Sequence, residues 1–84
     1  MRAYHPDYSQ AALDALLEST PRQLSQVRAA IERLSRGFAR DGDYQIRDGA
    51  GRVWEVKHFD NVVLTYWVDH AVCSVKIGLV EWVQ

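Results

Sequence analysis

Two tryptophans recur among basic side chains along the C-terminal half of the chain. The residues concerned are Arg52, Trp54, His58, Trp67 and Lys76. Aromatic planes beside cations suit unstacked bases and phosphates, and a histidine, which titrates near neutral pH, can act as an acid or a base. The same residue types also dominate protein–protein hot spots. The sequence therefore leaves open a nucleic-acid surface, a protein-binding surface, and tryptophans that merely cover a sheet or pack under the C-terminus.

The histidines and the cysteine do not form a metal-binding pattern. His5, His58 and His70 lack the spacing of a His-x-x-x-His site, and a single cysteine excludes an internal disulfide or a Cys-rich zinc site. We expect no metal and no cofactor, and we expect Cys73 to be a small side chain packed in the core.

The overall charge bears on any nucleic-acid role. The 84 residues carry a formal net charge of −1, whereas proteins that depend on neutralising phosphates usually have a strong basic excess. Binding to RNA or DNA would therefore rest on a local patch. The length supports a single domain over residues 1–84. With no apolar run long enough to span a bilayer and no leader at Met1, we expect a cytoplasmic protein that does not bind membranes.

The N-terminal half predicts a short strand and a first helix. Residues 2–5 form the candidate strand, which Pro6 and Asp7 should end. Asp7 or Ser9 can cap the helix that follows, and this helix should end near residues 18–19. Its apolar positions recur at helical spacing: Tyr8, Ala11, Ala12 and Leu16.

A second helix should begin at Thr20-Pro21, because threonine caps a helix and proline is tolerated at its first position. Its apolar stripe consists of Leu24, Val27, Ile31 and Leu34. Gly37 is a plausible left-handed stop. The short connection between the helices predicts an antiparallel helical hairpin.

The pattern alternates after residue 43 and predicts strands at residues 44–47, 52–59, 62–68 and 71–82. If Asp60-Asn61 and Asp69-His70 are two-residue hairpin loops, the register sorts the side chains onto two faces. One face is mostly apolar and should pack against the helices: Val53, Glu55, Lys57, Phe59, Val62, Leu64, Tyr66, Val68, Ala71, Cys73, Val75 and Ile77. The opposite face should stay uncovered: Arg52, Trp54, Val56, His58, Val63, Thr65, Trp67, Val72, Ser74 and Lys76.

This order of elements resembles the RelE/ParE superfamily of bacterial toxins from toxin–antitoxin pairs. Three stretches carry the resemblance: YHPDYSQAALDALL, PRQLSQVRAAIERL and DYQIRDGAGRVWEVKHFDNVVLTYWV. They are similar to the family's opening strand and first helix, its second helix and its sheet. The resemblance implies an α+β fold in which a short N-terminal strand and an antiparallel helical hairpin precede a C-terminal antiparallel β-meander, with the helices on one face.

The resemblance also implies a function. RelE-like members cleave messenger RNA in the ribosome without a metal, using basic residues on the middle strands and a general base. By position, Arg47 and Arg52 correspond to the family's basic residues, and His58 could be the acid or base. Trp54, Trp67, Lys76 and His70 would then bind the substrate.

Other functions stay open, because Gln45 stands where RNA-cleaving members often have a basic residue. The chain could instead bind gyrase without catalysis, as ParE-like members do, or be a diverged interaction module that forms a homodimer through the face of Trp54 and Trp67. The expected partners are a cognate antitoxin and, for the enzyme, the ribosome and messenger RNA.

Overall fold

A computed structural model describes residues 4–37 and 41–83 as two helices and a five-stranded mixed sheet. The elements in chain order are β1 His5–Tyr8, α1 Gln10–Leu17, α2 Pro21–Ser35, β2 Tyr44–Arg47, β3 Val53–Phe59, β4 Val62–Asp69 and β5 Ser74–Trp82. The strand order across the sheet is β1-β5-β4-β3-β2. Strands β2 to β5 form the predicted antiparallel meander, and β1 adds to it as a parallel strand. No helix among the described residues is long and apolar enough to cross a membrane.

The first strand lies later in the chain than predicted. It was placed at residues 2–5 and ended by Pro6 and Asp7, but both residues are inside β1 and pair with Val75 and Lys76. Proline is tolerated here because β1 is an edge strand, so its missing N–H faces away from the sheet. Tyr8, which was assigned to the first helix, is the last residue of β1. Residues 2 and 3 of the predicted strand lie outside the described residues.

Both helices begin and end close to the predicted positions. The Ser9 side chain caps α1 by accepting from the Ala12 N–H. At the start of α2, Thr20 and Gln23 form a reciprocal capping box, with Pro21 in the first turn. Gly37, with φ of 90°, adopts the left-handed conformation expected of the residue after a helix.

The helices cover one face of the sheet, as predicted. Helical residues Ala12, Val27, Ala30, Ile31 and Leu34 are buried in one cluster with strand residues that, except for Val80, were all expected on the apolar face. The strand residues of this cluster are Phe59, Val62, Leu64, Tyr66, Val75, Ile77 and Val80. We call the sheet surface opposite the helices the open face.

The two hairpins differ in how well the sequence predicts them. Phe59 pairs with Val62, so the loop Asp60-Asn61 has two residues as expected, with Asp60 at a φ of 53°. The second loop was predicted at Asp69-His70, and this is wrong. Strand β4 continues to Asp69, which pairs with Ser74, so the loop comprises residues 70–73.

The longer loop changes the position of three residues assigned to the last strand. Ala71, Val72 and Cys73 lie in the turn. Cys73 has a φ of 51° and is half-buried, so it is not the packed strand residue that was predicted. The Asp69 carboxylate accepts from the Ala71 N–H and stabilises this turn.

The cap of α2 provides a test of the helix assignment. Replacing Thr20 with Ala should lower the free energy of unfolding by about 1 kcal/mol, because the Gln23 N–H loses its acceptor. Urea denaturation followed by circular dichroism measures this loss. Thr20→Ser keeps the hydroxyl and should be close to the wild type; equal losses in both variants would contradict the capping role.

Candidate functional site

The open face presents aromatic and apolar side chains at its centre and charges at its ends. Its register is set by the pairs Ile46↔Trp54, Val56↔Thr65 and His58↔Val63. On the side of β5 it continues through the pairs Trp67↔Lys76 and Thr65↔Leu79. Trp54 and Trp67 therefore lie opposite the helices, which is the geometry that the sequence predicts for the candidate site.

Trp54 lies flat against the sheet and does not project into solvent. Its ring covers Gly78, where an added Cβ would lie 2.5 Å from Cζ3 of the indole. The indole Nε1 donates to Oδ2 of Asp48 at 2.8 Å. The half-buried Trp54 is thus held at both its ring and its nitrogen. This side chain covers part of the sheet, which is the third of the interpretations that the sequence leaves open.

Asp48 organises this end of the open face, whereas its place in a turn predicts only a solvated loop acid. Its Oδ1 accepts from the backbone N–H groups of Ala50 and Arg52, both at 2.9 Å, while Oδ2 binds Trp54. The hydrogen bond from Trp54, followed by that from the Arg52 N–H, lowers the pKa of Asp48 below its ordinary value. The Asp48-Gly49 pair was a signal for this role, because aspartate often fixes turns by accepting from N–H groups two residues later.

Arg52 stacks on Trp67. The guanidinium carbon lies 4.0 Å from the centre of the Trp67 ring, which is a cation–π contact. A guanidinium plane in this position can donate to phosphate or carboxylate oxygens in a fork geometry. Of the predicted site residues, Arg52, Trp54 and Trp67 are the three that the fold brings to the same end of the open face.

Lys76 lies on the open face, but its charge is neutralised within the chain. Its Nζ lies 2.7 Å from Oδ2 of Asp7, and the Ser74 hydroxyl donates to the same oxygen at 2.7 Å. The hydrogen bond from Lys76, then that from Ser74, lowers the pKa of Asp7. An incoming anion would have to compete with Asp7 for Lys76.

His58 lies on the open face at the opposite end of β3 from Arg52. Six residues separate them along an extended strand, which corresponds to about 20 Å. The imidazole is exposed and lies 6.4 Å from the ring of Tyr44, measured between centroids. At this separation His58 and Arg52 cannot act on the same phosphodiester.

Arg47 lies on the other face of the sheet from Arg52. It pairs with Val53, whose side chain alternates away from that of Trp54. Its guanidinium donates to the Gly51 carbonyl at 2.7 Å, so it braces the turn between β2 and β3. The two arginines that the family resemblance matched are therefore not on one surface.

His70 belongs to the helix side of the molecule. In the loop between β4 and β5, its Nδ1 lies 2.7 Å from the hydroxyl of Tyr4, with the two rings edge to face. Tyr4 packs against the buried cluster beneath the helices. The fold therefore directs the His70 ring toward Tyr4, although His70 and Trp67 line a common pocket at the end of the sheet.

A shallow apolar groove of about 350 Å³ runs along the centre of the open face. Its apolar walls include Ile46, Trp54 and Leu79, and its remaining lining residues are Ser9, Ala11, Asp48, Thr65 and Gly78. Within residues 4–37 and 41–83, no three His, Cys, Asp or Glu side chains gather into a group that could hold a metal ion. The site can thus bind apolar groups at its centre and an anion or a base near Arg52.

Comparison with known proteins gives one similarity. No family model matches the chain, and no curated protein matches it. The structure is similar to a chain in the crystal structure of the toxin–antitoxin complex RelBE2 from Mycobacterium tuberculosis, with a TM-score of 0.77 and 24% sequence identity. The similarity covers 96% of this chain and 99% of the other. It confirms the predicted α+β fold over nearly the whole chain.

The contact between Gly78 and Trp54 leads to a prediction. The Cβ of Gly78→Ala would overlap the indole, push it off the sheet and break its bond to Asp48. We expect the free energy of unfolding to fall by about 1–3 kcal/mol, as is typical of overpacking, together with a red shift of tryptophan emission. In the control, Gly49→Ala, the new Cβ meets no atom within 4 Å. An unchanged emission spectrum in the Gly78 variant would contradict the packing of Trp54.

The lowered pKa of Asp48 gives a pH dependence. Because the folded-state pKa lies below the unfolded value, the stabilisation is complete above about pH 3.9 and is lost as the pH falls through the folded-state pKa. Asp48→Asn should lower the urea midpoint at pH 7, and its difference from the wild type should shrink below about pH 3.9.

Asp69→Asn is the matched control, since Asp69 also accepts from a backbone N–H in a turn. A difference between wild type and Asp48→Asn that is constant from pH 7 to pH 2.5 would show that ionisation of Asp48 does not stabilise the fold.

Proposed function

We propose that this chain is the toxin component of a toxin–antitoxin pair and that it acts on its target through the open face. The observation that carries the proposal is the RelE-like fold, shared over 96% of the chain with a chain of a toxin–antitoxin complex. The uncovered sheet surface supports it, because aromatic and cationic groups gather there around Arg52, Trp54 and Trp67.

The enzymatic form of the proposal is ribosome-dependent cleavage of messenger RNA. Arg52 is the residue best placed to neutralise a phosphate, since its guanidinium is exposed and supported from below by Trp67. Bases released from a stack could pack beside the two tryptophans. In this mechanism Arg52 stabilises the negative charge that develops on the phosphoryl oxygens as the 2′-oxygen bonds to phosphorus and the bond to the 5′-oxygen breaks.

A second candidate is inhibition of a target protein by binding alone, as a ParE-like toxin inhibits gyrase. The geometry of the predicted catalytic residues supports it: His58 is about 20 Å along the strand from Arg52, and Arg47 lies on the other face. The apolar groove between Ile46 and Leu79 suits a protein side chain better than a phosphate backbone. These features favour binding over cleavage.

For either activity, the expected partner is an antitoxin that neutralises the toxin. We infer that it neutralises the toxin by covering the open face, with apolar residues in the groove and an acidic group on Arg52. Arg52 is the natural anchor because its donors can form a bidentate pair with a carboxylate.

Expression in bacteria tests the toxin proposal. Wild-type chain should arrest growth, and Arg52→Ala should relieve the arrest because the charge at the tryptophan end of the open face is lost. Arg22→Ala is the matched control, since Arg22 is an exposed arginine on α2, on the other side of the molecule. Circular dichroism confirms that each variant is folded. Harmless expression of the wild type would refute the proposal and favour an interaction module without toxicity.

Two readouts separate the two modes of action. Primer extension on ribosome-bound message should show new 5′ ends if the chain cleaves RNA. A supercoiling assay with purified gyrase should show inhibition if the chain binds that enzyme. Arg52→Lys keeps the charge but lacks the planar guanidinium, so recovery of toxicity by Lys would assign Arg52 a charge role and not a stacking role.

A further inference from the structure

The two edges of the sheet differ in how well they are protected. At β1, the N–H groups of His5 and Ser9 donate to β5, at 3.0 and 2.9 Å. Alternation then directs the backbone groups of Pro6 and Tyr8 outward. Since proline has no N–H, the outer edge of β1 lacks a donor at the position where a docking strand would need one. This is a common way in which proteins block edge-to-edge pairing.

The outer edge of β2 has no such protection. The Asp48 N–H donates to the Arg52 carbonyl at 3.0 Å, and this sets the phase of the ladder. Ile46 and Tyr44 then bond to β3, while Gln45 and Arg47 direct both N–H and C=O outward. Within residues 4–37 and 41–83, no helix or loop backbone bonds to these outward groups.

Exposed apolar side chains accompany this free edge. All four residues of β2 are exposed. On the open face, Tyr44 and Ile46 retain 52% and 43% of their accessible surface. Ile46 is also a wall of the apolar groove that extends to Trp54 and Leu79. An added strand would therefore satisfy the edge and extend an apolar surface at the same time.

We propose that β2 pairs antiparallel with β2 of a second copy of this chain, around a twofold axis at Ile46. In this register Gln45 faces the second copy's Arg47, and these residues exchange four backbone hydrogen bonds in total. Ile46 faces its own counterpart on the open face, where side chains of a non-hydrogen-bonded pair come closest. The two sheets become one continuous sheet.

The neighbouring registers are less favourable. A shift of two residues in one direction sets Arg47 against the second copy's Arg47, and directly opposed like charges destabilise a sheet. A shift in the other direction requires Asp43 as a donor, but its N–H is already bound to the Val56 carbonyl at 2.8 Å. The register centred on Ile46 uses every free group of Gln45 and Arg47 and brings no like charges together.

This surface differs from the homodimer contact first predicted, which used Trp54 and Trp67. Both tryptophans are already in contact with groups of their own chain, Asp48 and Gly78 for Trp54 and Arg52 for Trp67. The proposal does not depend on toxicity, because it follows from the edge of the sheet alone. The contact is small, so self-association should be weak and visible only at high protein concentration.

Sedimentation equilibrium over a range of concentrations tests the contact. The wild type should show a concentration-dependent mass, and Ile46→Lys should weaken association by about tenfold or more, since two charges would meet at the axis. Leu79→Lys is the matched control: Leu79 is also on the open face and is 42% exposed, but it lies on β5, three strands from the edge. Arg47→Pro should also weaken association, because it removes an outward N–H. It leaves the backbone hydrogen bonds between β2 and β3 in place and removes only the side-chain bond to the Gly51 carbonyl.

Cross-linking tests the register independently. In a Cys73→Ser background, mild oxidation of Ile46→Cys should give a disulfide-linked dimer, because the Cα separation of a non-hydrogen-bonded antiparallel pair allows a disulfide. Leu79→Cys should stay monomeric under the same conditions.

Three results would overturn the proposal. The first is a monomer at every concentration. The second is a dimer that neither Ile46→Lys nor Arg47→Pro weakens. The third is a dimer in which the Gln45 and Arg47 amides gain no hydrogen-exchange protection, which would place the contact elsewhere on the chain.

Discussion

Burial of one sheet face beneath two short helices is the constraint from which the other features follow. The helices contribute five buried residues to the core, and the strands complete it with side chains of one parity. Within residues 4–37 and 41–83, no further helix covers the opposite side. Tyr44, Ile46 and Leu79 on that side are therefore exposed, and the sequence has to make this exposure tolerable.

On the open face, charged and aromatic side chains bind one another. Asp48 holds Trp54, Trp67 supports Arg52, and Asp7 neutralises Lys76. Each contact lowers the amount of free charge or free aromatic surface. The same contacts fix the side chains in single orientations, which reduces the conformational entropy that a partner would have to remove on binding. This preorganised state suits recognition better than it suits a catalytic set, because the cations are spread over both faces.

The sequence predicted the helices, the strand types and the covered face, because local signals determine them. Thr20-Pro21, Gly37 and Asp60-Asn61 each mark a boundary through backbone chemistry that needs no tertiary context. It failed where the deciding interaction is non-local. Pro6 indicates the end of a strand, because the sequence does not show that β1 is an edge strand. Asp69-His70 indicates a two-residue loop, because the sequence does not show that Cys73 adopts a left-handed conformation. The candidate site combines both cases. Local alternation placed Arg52, Trp54 and Trp67 on one face, but the non-local contact of His70 with Tyr4 could not be predicted.

The predicted faces of β5 were right although its predicted register with β4 was wrong. The predicted pairing of β4 with β5 was displaced by four residues, as comparison of Val68↔Ala71 with the observed Val68↔Val75 shows. An even displacement conserves parity, so Val75, Ile77 and Lys76 kept their faces. The parity changes only at the bulge beside Gly78, beyond which Val80 and Trp82 turn toward the helices. On the other side of the same residue, the missing Cβ is what allows Trp54 to lie flat. One glycine thus adjoins both the bulge that turns Val80 toward the core and the indole of Trp54, so a side chain at this position would disturb both.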